Sequence, residues 1–202
     1  MHLSFSNGFI ALAACILTSL QAGATEVSPP DLDASFAVPV GWKYQMHLAP
    51  GRVGATLSPV HDANEANVAR CRIDRHELPA HFRSYTQAQL NSAYASKPLT
   101  REDFAARLTQ QAGVPVRVLE VGEAKLGSSL AYWALSQSSE QKGSTTAHYM
   151  SKTYLSQTPG FAWNVQCLTA ATTGAAEAAT LFRSSTSTFE PFLASVRPHA
   201  LK

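Results

Sequence analysis

The sequence predicts an α+β fold, an α/β/α sandwich around a mainly antiparallel sheet. Three observations predict it. Between Ser35 and Leu78 apolar and polar residues alternate in short runs, the period of half-buried strands. Between Phe82 and Ala112 the spacing becomes helical. Four longer strand-like runs follow, apolar in places on both faces, before a closing helical series. A sheet wet on one side shows cleaner alternation, so helices are expected over both faces.

Residues 1–24 read as a secretory signal. They contain no Asp, Glu, Lys or Arg, and Phe9–Leu20 is apolar. Ala22-Gly23-Ala24 forms a small-x-small cleavage site, which predicts a mature N-terminus at Thr25. Leu12-Ala13-Ala14-Cys15 also resembles a lipobox, so a lipid anchor on Cys15 is the alternative. No other apolar run reaches the ~18 residues of a spanning helix. Residues 25–33, with Pro29-Pro30, read as an exposed lead-in, and residues 34–198 as a single domain.

Within that domain each element has a local reason. Ser35–Val38 is a short strand turned by Pro39-Val40-Gly41. Trp42–Leu48 alternates Trp42, Tyr44, Met46 and Leu48, and Ala49-Pro50-Gly51 turns it into Val53–Ser58. In Val68–Leu78, Ala69, Cys71 and Ile73 share one face, and Arg70, Arg72 and Asp74 the other. Ser84 and Gln87 form a candidate capping box for a helix over 82–95, which Lys97-Pro98 ends. Thr100 and Asp103 cap a second helix that Gly113 stops. Strands are expected over Val114–Val121, Ser129–Gln137, Thr146–Ser156 and Phe161–Ala170. Gly122–Gly127 links the first pair, Ser138–Thr145 is a polar hairpin loop, and Thr158-Pro159-Gly160 is a turn. A final helix covers about 175–196, with Pro191 kinking it or starting a new turn.

Composition bounds the function. The 202 residues amount to 21.7 kDa, one domain in size. Charged residues are 15%, against ~25% in typical soluble domains. A net charge of +2 offers no field for nucleic acid or an anionic membrane surface. Past the signal only Cys71 and Cys167 remain, and in an oxidising compartment an even number implies a disulfide. It would close a loop of about 100 residues, for which the chain-entropy model gives about 4–5 kcal/mol.

The string Phe36-Ala-Val-Pro-Val-Gly-Trp42 resembles the opening hairpin of the PsbP-like fold family, which includes PsbP, the Mog proteins and exported bacterial DcrB-type proteins. The order of hairpin, helix, meander and a C-terminal helix ending Phe192-Leu-Ala-Ser-Val-Arg197 is similar over residues 34–198. The resemblance implies a fold and no common activity, since members bind different partners.

Catalytic patterns are mostly absent. His76-Glu-Leu-Pro-Ala-His81 misses zinc-protease spacing: the second His is at i+5, about 140° round a helix, and Pro79 intervenes. His47, His61 and His148 are isolated, and no Gly-x-Ser-x-Gly elbow or phosphate loop occurs. Glu102 and Asp103 suit a helix cap, while Arg70, Arg72 and Arg75, interleaved with Asp74 and Glu77, read as a solvated face. Trp42, Trp133 and Trp163 read as core. No catalytic residue, cofactor or metal is therefore expected. The expected function is that of a non-enzymatic periplasmic or secreted protein binding another exported or envelope protein, as an accessory, chaperone-like or immunity-type factor. The alternative is a small-molecule binder or a hydrolase with an undisplayed site. The expected partner surface is the two polar connections: His61, Asp62, Asn64, Glu65 and Asn67, with Ser138, Ser139, Glu140, Gln141 and Lys142.

Overall fold

Seven strands form one antiparallel sheet, with tight turns at Pro50-Gly51, Gly127-Ser128, Gly143-Ser144 and Pro159-Gly160 and a helical crossover over residues 78–115 that carries the chain to the far edge. The computed structural model describes residues 23–61 and 67–199. Strands β1 (Thr25–Val27), β2 (Ala34–Val38) and β10 (Arg197–Pro198) make a small sheet in the order β1-β2-β10. The main sheet contains β3 (Trp42–Ala49), β4 (Arg52–Pro59), β5 (Asn67–Glu77), β6 (Val116–Leu126), β7 (Ser129–Lys142), β8 (Thr145–Thr158) and β9 (Phe161–Ala171). Its order is β3-β4-β5-β9-β8-β7-β6. Helices α1 (Gln87–Ser96) and α2 (Arg101–Ala112) lie between β5 and β6 in the chain, and α3 (Ala175–Ser195) follows β9.

The strand alternation decides the layers. On one face Ile73, Val165, Trp163 and the Cys71–Cys167 pair meet Phe182, Phe189, Phe192 and Leu193 of α3. Phe36 of β2 closes that layer edge-on against Phe192. On the other face Tyr132, Ala134 and Val118 meet Phe104 and Leu108 of α2. The expected helices on both faces are present, but α1 and α2 pack mainly over the β6–β7–β8 end. Over β4, β5 and β9 that face carries Arg52, Arg72, Asp74, Asn164 and Gln166, and it stays open.

The disulfide joins directly opposed residues: Cys71 of β5 and Cys167 of β9 are register partners beneath α3. The Thr100–Asp103 capping box and the left-handed Gly113 cap are both formed. Trp163 is fully buried, whereas Trp42 and Trp133 pack against the core only in part.

Five local expectations need correction. The first helix is capped by Thr86 with Gln89, not by Ser84 with Gln87. Ser84 ends a 3-10 turn, Ala80–Ser84, and its hydroxyl donates back to the His81 carbonyl at 2.8 Å. Phe82 belongs to that turn and not to a helix. Gly122 does not begin a link, because β6 runs through it to Leu126. The Trp133 ring lies over Gly122, where a Cβ would come within 2.6 Å of the indole, so the glycine marks a close approach inside a strand. Ser138–Lys142 are strand, not loop, since the β7–β8 ladder continues to Lys142↔Thr145. The lead-in is not wholly exposed: β1 pairs with β2 and Leu32 is buried. Most of the predicted signal segment, including Cys15, lies outside the described residues, as do Asp62, Asn64 and Glu65.

Candidate functional site

The open half of the sheet is organised around one buried carboxylate. Successive register pairs align His47, Gly54, Asp74 and Asn164 in a single row across β3, β4, β5 and β9. Residues in one row share a face. Gly54 has no side chain to separate its neighbours, so His47 reaches across β4 and its Nε2 lies 3.1 Å from Asp74 Oδ1. Arg52 donates to the same oxygen from Nε at 3.1 Å and Nη2 at 3.0 Å. Arg72 Nε stands 2.7 Å from Oδ2 as an ion pair, with its N–H not aimed at that oxygen.

Asp74 is only 3% exposed, so its charge depends on these partners. One carboxylate faces two guanidiniums, which leaves a surplus positive charge. The Nη groups of Arg72 make no hydrogen bond to any described residue. A planar guanidinium with free donors suits a carboxylate or phosphate oxygen pair.

The cluster borders a cleft of about 410 Å³ between the sheet and the C-terminal turn of α2. Leu108, Gln111 and Ala112 form the helical wall. Gln111 Oε1 accepts from Asn164 Nδ2 at 3.4 Å, while the buried Asn164 Oδ1 is unpartnered among the described residues. The floor is hydroxyl and amide: Ser136 and Ser151 share a hydrogen bond of 3.0 Å, and Gln166 donates to Thr153 at 3.0 Å.

His76 adds a titratable group to the wall. Burial pushes its imidazole below the ordinary value, Arg52 lowers it further, and Asp74 opposes both. The folded protein therefore prefers neutral His76. The stability linked to it is present above about pH 6.5, the unfolded value. It is lost as pH falls through the lowered folded value. Urea unfolding at pH 7.5 and pH 5 should show a larger acid loss for the wild type than for His76→Gln. Equal losses would show that His76 is not held neutral.

The sequence-predicted surface is placed only in part. His61 is exposed after β4, and Asn67 opens β5. The register runs Asn67–Ala171–His148–Ser139, so the Asn67 and Ser139 backbones lie about 14 Å apart, at three strand spacings. Of the predicted set, Ser138 lines the cleft. Glu140 instead accepts from Tyr149 at 3.1 Å and pairs with Lys142 at 3.2 Å. Gln141 bonds within its own hairpin. Ser139 and His148 share a 2.8 Å hydrogen bond on the exposed hairpin, and no carboxylate holds that imidazole among the described residues.

Asp74 with Arg52 and Arg72 was missed as a site, because charges alternating along a strand read as solvated. Arg75 is a separate structural residue, paired with Asp33 and lying 4.3 Å from the Phe161 ring centroid. The usable signal was Gly54, an isolated glycine in a strand, which marks a close approach.

No protein-family model matches the sequence, and no curated protein is similar to it at a meaningful level. Solved structures that match the chain include the following three, all with TM-scores below 0.5. A protein from Bacteroides thetaiotaomicron VPI-5482 is 17% identical with a TM-score of 0.44, over 89% of this chain and 49% of that one. The chain thus spans about half the length of that protein. LpqN, involved in cell envelope biogenesis of Mycobacterium tuberculosis, is 14% identical with a TM-score of 0.44, over 86% of this chain and 88% of LpqN. PA94 of Pseudomonas aeruginosa, a protein of unknown function, is 11% identical with a TM-score of 0.43, over 89% of this chain and 99% of PA94.

Proposed function

We propose that this chain is an exported binding protein that does no covalent chemistry, and that its cleft receives an acidic group of another envelope protein. The observation that carries this reading is the surplus charge beside Asp74: two arginines face one carboxylate, and the Arg72 Nη donors have no partner among the described residues. The Cys71–Cys167 bond supports an extracytoplasmic setting, since such bonds persist in oxidising compartments. The order of hairpin, helices, meander and C-terminal helix supports a PsbP-like architecture. The non-enzymatic reading draws support from the cleft hydroxyls, since among the described residues Ser136 and Ser151 bond to each other and not to a base.

A second reading has its own observation. A cleft of about 410 Å³ is within the ~300–1,000 Å³ of small-molecule pockets, so a free anion is the alternative occupant. Affinity capture from envelope extract separates the two. Wild type should retain a specific protein that Arg52→Gln/Arg72→Gln loses, and an acidic peptide from that protein should compete. Capture unchanged by the double substitution would contradict the cleft as the interface. A small anion released from the native protein, with no protein captured, would favour the second reading. A turnover abolished by substituting a cleft residue would end the non-enzymatic one.

A further inference from the structure

The two edges of the main sheet are built differently. β6 ends one side with a register shift between Val118 and Glu120, and it exposes Arg117, Glu120, Glu123 and Lys125. A bulge and interleaved charges are the means by which edge strands avoid pairing. β3 ends the other side with eight residues in unbroken register, no proline, and Lys43 as its only Lys, Arg, Asp or Glu. Five large hydrophobic residues are exposed among the described residues, and four lie on β3 or beside its ends: Val40 (64%), Tyr44 (39%), Leu48 (66%) and Val60 (46%).

The phase of the ladder is fixed by two backbone bonds. Val60 N–H donates to the Gly41 carbonyl at 2.8 Å, and Glu77 N–H to the Gly51 carbonyl at 3.0 Å. The closing pair Ala49↔Arg52 agrees with them. Lys43, Gln45, His47 and Ala49 therefore turn their peptide groups toward β4, and Tyr44, Met46 and Leu48 turn theirs outward.

We infer that β3 pairs antiparallel with β3 of a second copy of this chain, about a two-fold axis perpendicular to the sheet. Such an axis joins residues of the same face. The register that sets Met46 opposite Met46 pairs Tyr44 with Leu48 twice, which covers the exposed apolar side chains of the strand. It also sets Lys43 opposite Ala49, away from the second Lys43. The self-complementarity of the strand argues for a second copy as the occupant. The same axis leaves both clefts on one face, with Gln45 of the second copy beside His47, so each copy extends the other's polar row. This inference stands independently of the anionic ligand.

Sedimentation equilibrium of the oxidised protein across 1–100 µM should show a monomer–dimer equilibrium. Leu48→Lys places a charge at a largely exposed position and should weaken the dimer at least tenfold, with an unchanged circular dichroism spectrum. Tyr44→Cys/Leu48→Cys should form interchain bonds between residues 44 and 48 on oxidation. A wild type that stays monomeric, a Leu48→Lys protein that dimerises equally, or an absence of the 44–48 crosslink would each overturn the inference.

Discussion

Cys71→Ala/Cys167→Ala protein should lose about 2–5 kcal/mol of stability, the usual range for removing a native disulfide. The bond joins β5 to β9, residues 96 apart in sequence, so the unfolded chain gains the freedom of a long loop when it is absent. Both sulfurs also lie in the core under α3, so two small cavities add to the cost. The guanidinium unfolding midpoint should fall for the variant. Reduction should lower the wild-type midpoint by a similar amount and leave the variant unmoved. A variant as stable as the oxidised wild type would show that the pairing of β5 with β9 needs no crosslink.

Gly54→Ala has the next largest expected effect, and it acts on the site itself. A Cβ there would lie 2.2 Å from His47 Nε2, 2.6 Å from Asp74 Oδ1 and 2.6 Å from the Ile73 carbonyl oxygen. The imidazole can swing away, but the Ile73 carbonyl is backbone in the neighbouring strand and must shift with it. Overpacking of this kind costs about 1–3 kcal/mol. The variant should also lose the His47–Asp74 contact, visible as a changed His47 imidazole resonance in NMR spectra. A Gly54→Ala protein with wild-type stability and an unchanged His47 signal would contradict the close approach.

Much of the fold was legible because its signals are local. The Thr100–Asp103 box, the Gly113 stop and the Pro159-Gly160 turn each act within a few residues, and each lies where the sequence implies. The errors also have local causes. Ser84 could cap a helix, but Pro79 starts a 3-10 turn that ends on it. The polarity of Ser138–Lys142 reads as loop, yet cross-strand bonds such as Glu140–Tyr149 and Ser139–His148 satisfy those side chains within a ladder. The site was the least legible part. Its four row residues come from four strands, and β9 is distant in sequence. Arg72-Ile73-Asp74 looks the same whether the polar face meets water or a neighbouring strand's charges. Only the register across Gly54 turns Asp74 from a surface acid into a buried carboxylate.

The most direct measurement of the binding claim is an NMR titration that follows arginine Nε–Hε and asparagine side-chain resonances. Glutamate-containing peptide, its glutamine counterpart and inorganic phosphate would each be added to the oxidised protein. Saturable shifts confined to Arg52, Arg72 and Asn164 are expected with the acidic peptide, and none with its neutral counterpart. Phosphate shifting the same resonances, with the peptide inactive, would assign the cleft to a small anion. No saturable shift with either anion, or shifts scattered equally over Arg83, Arg107 and Arg183, would contradict the cleft as a binding site.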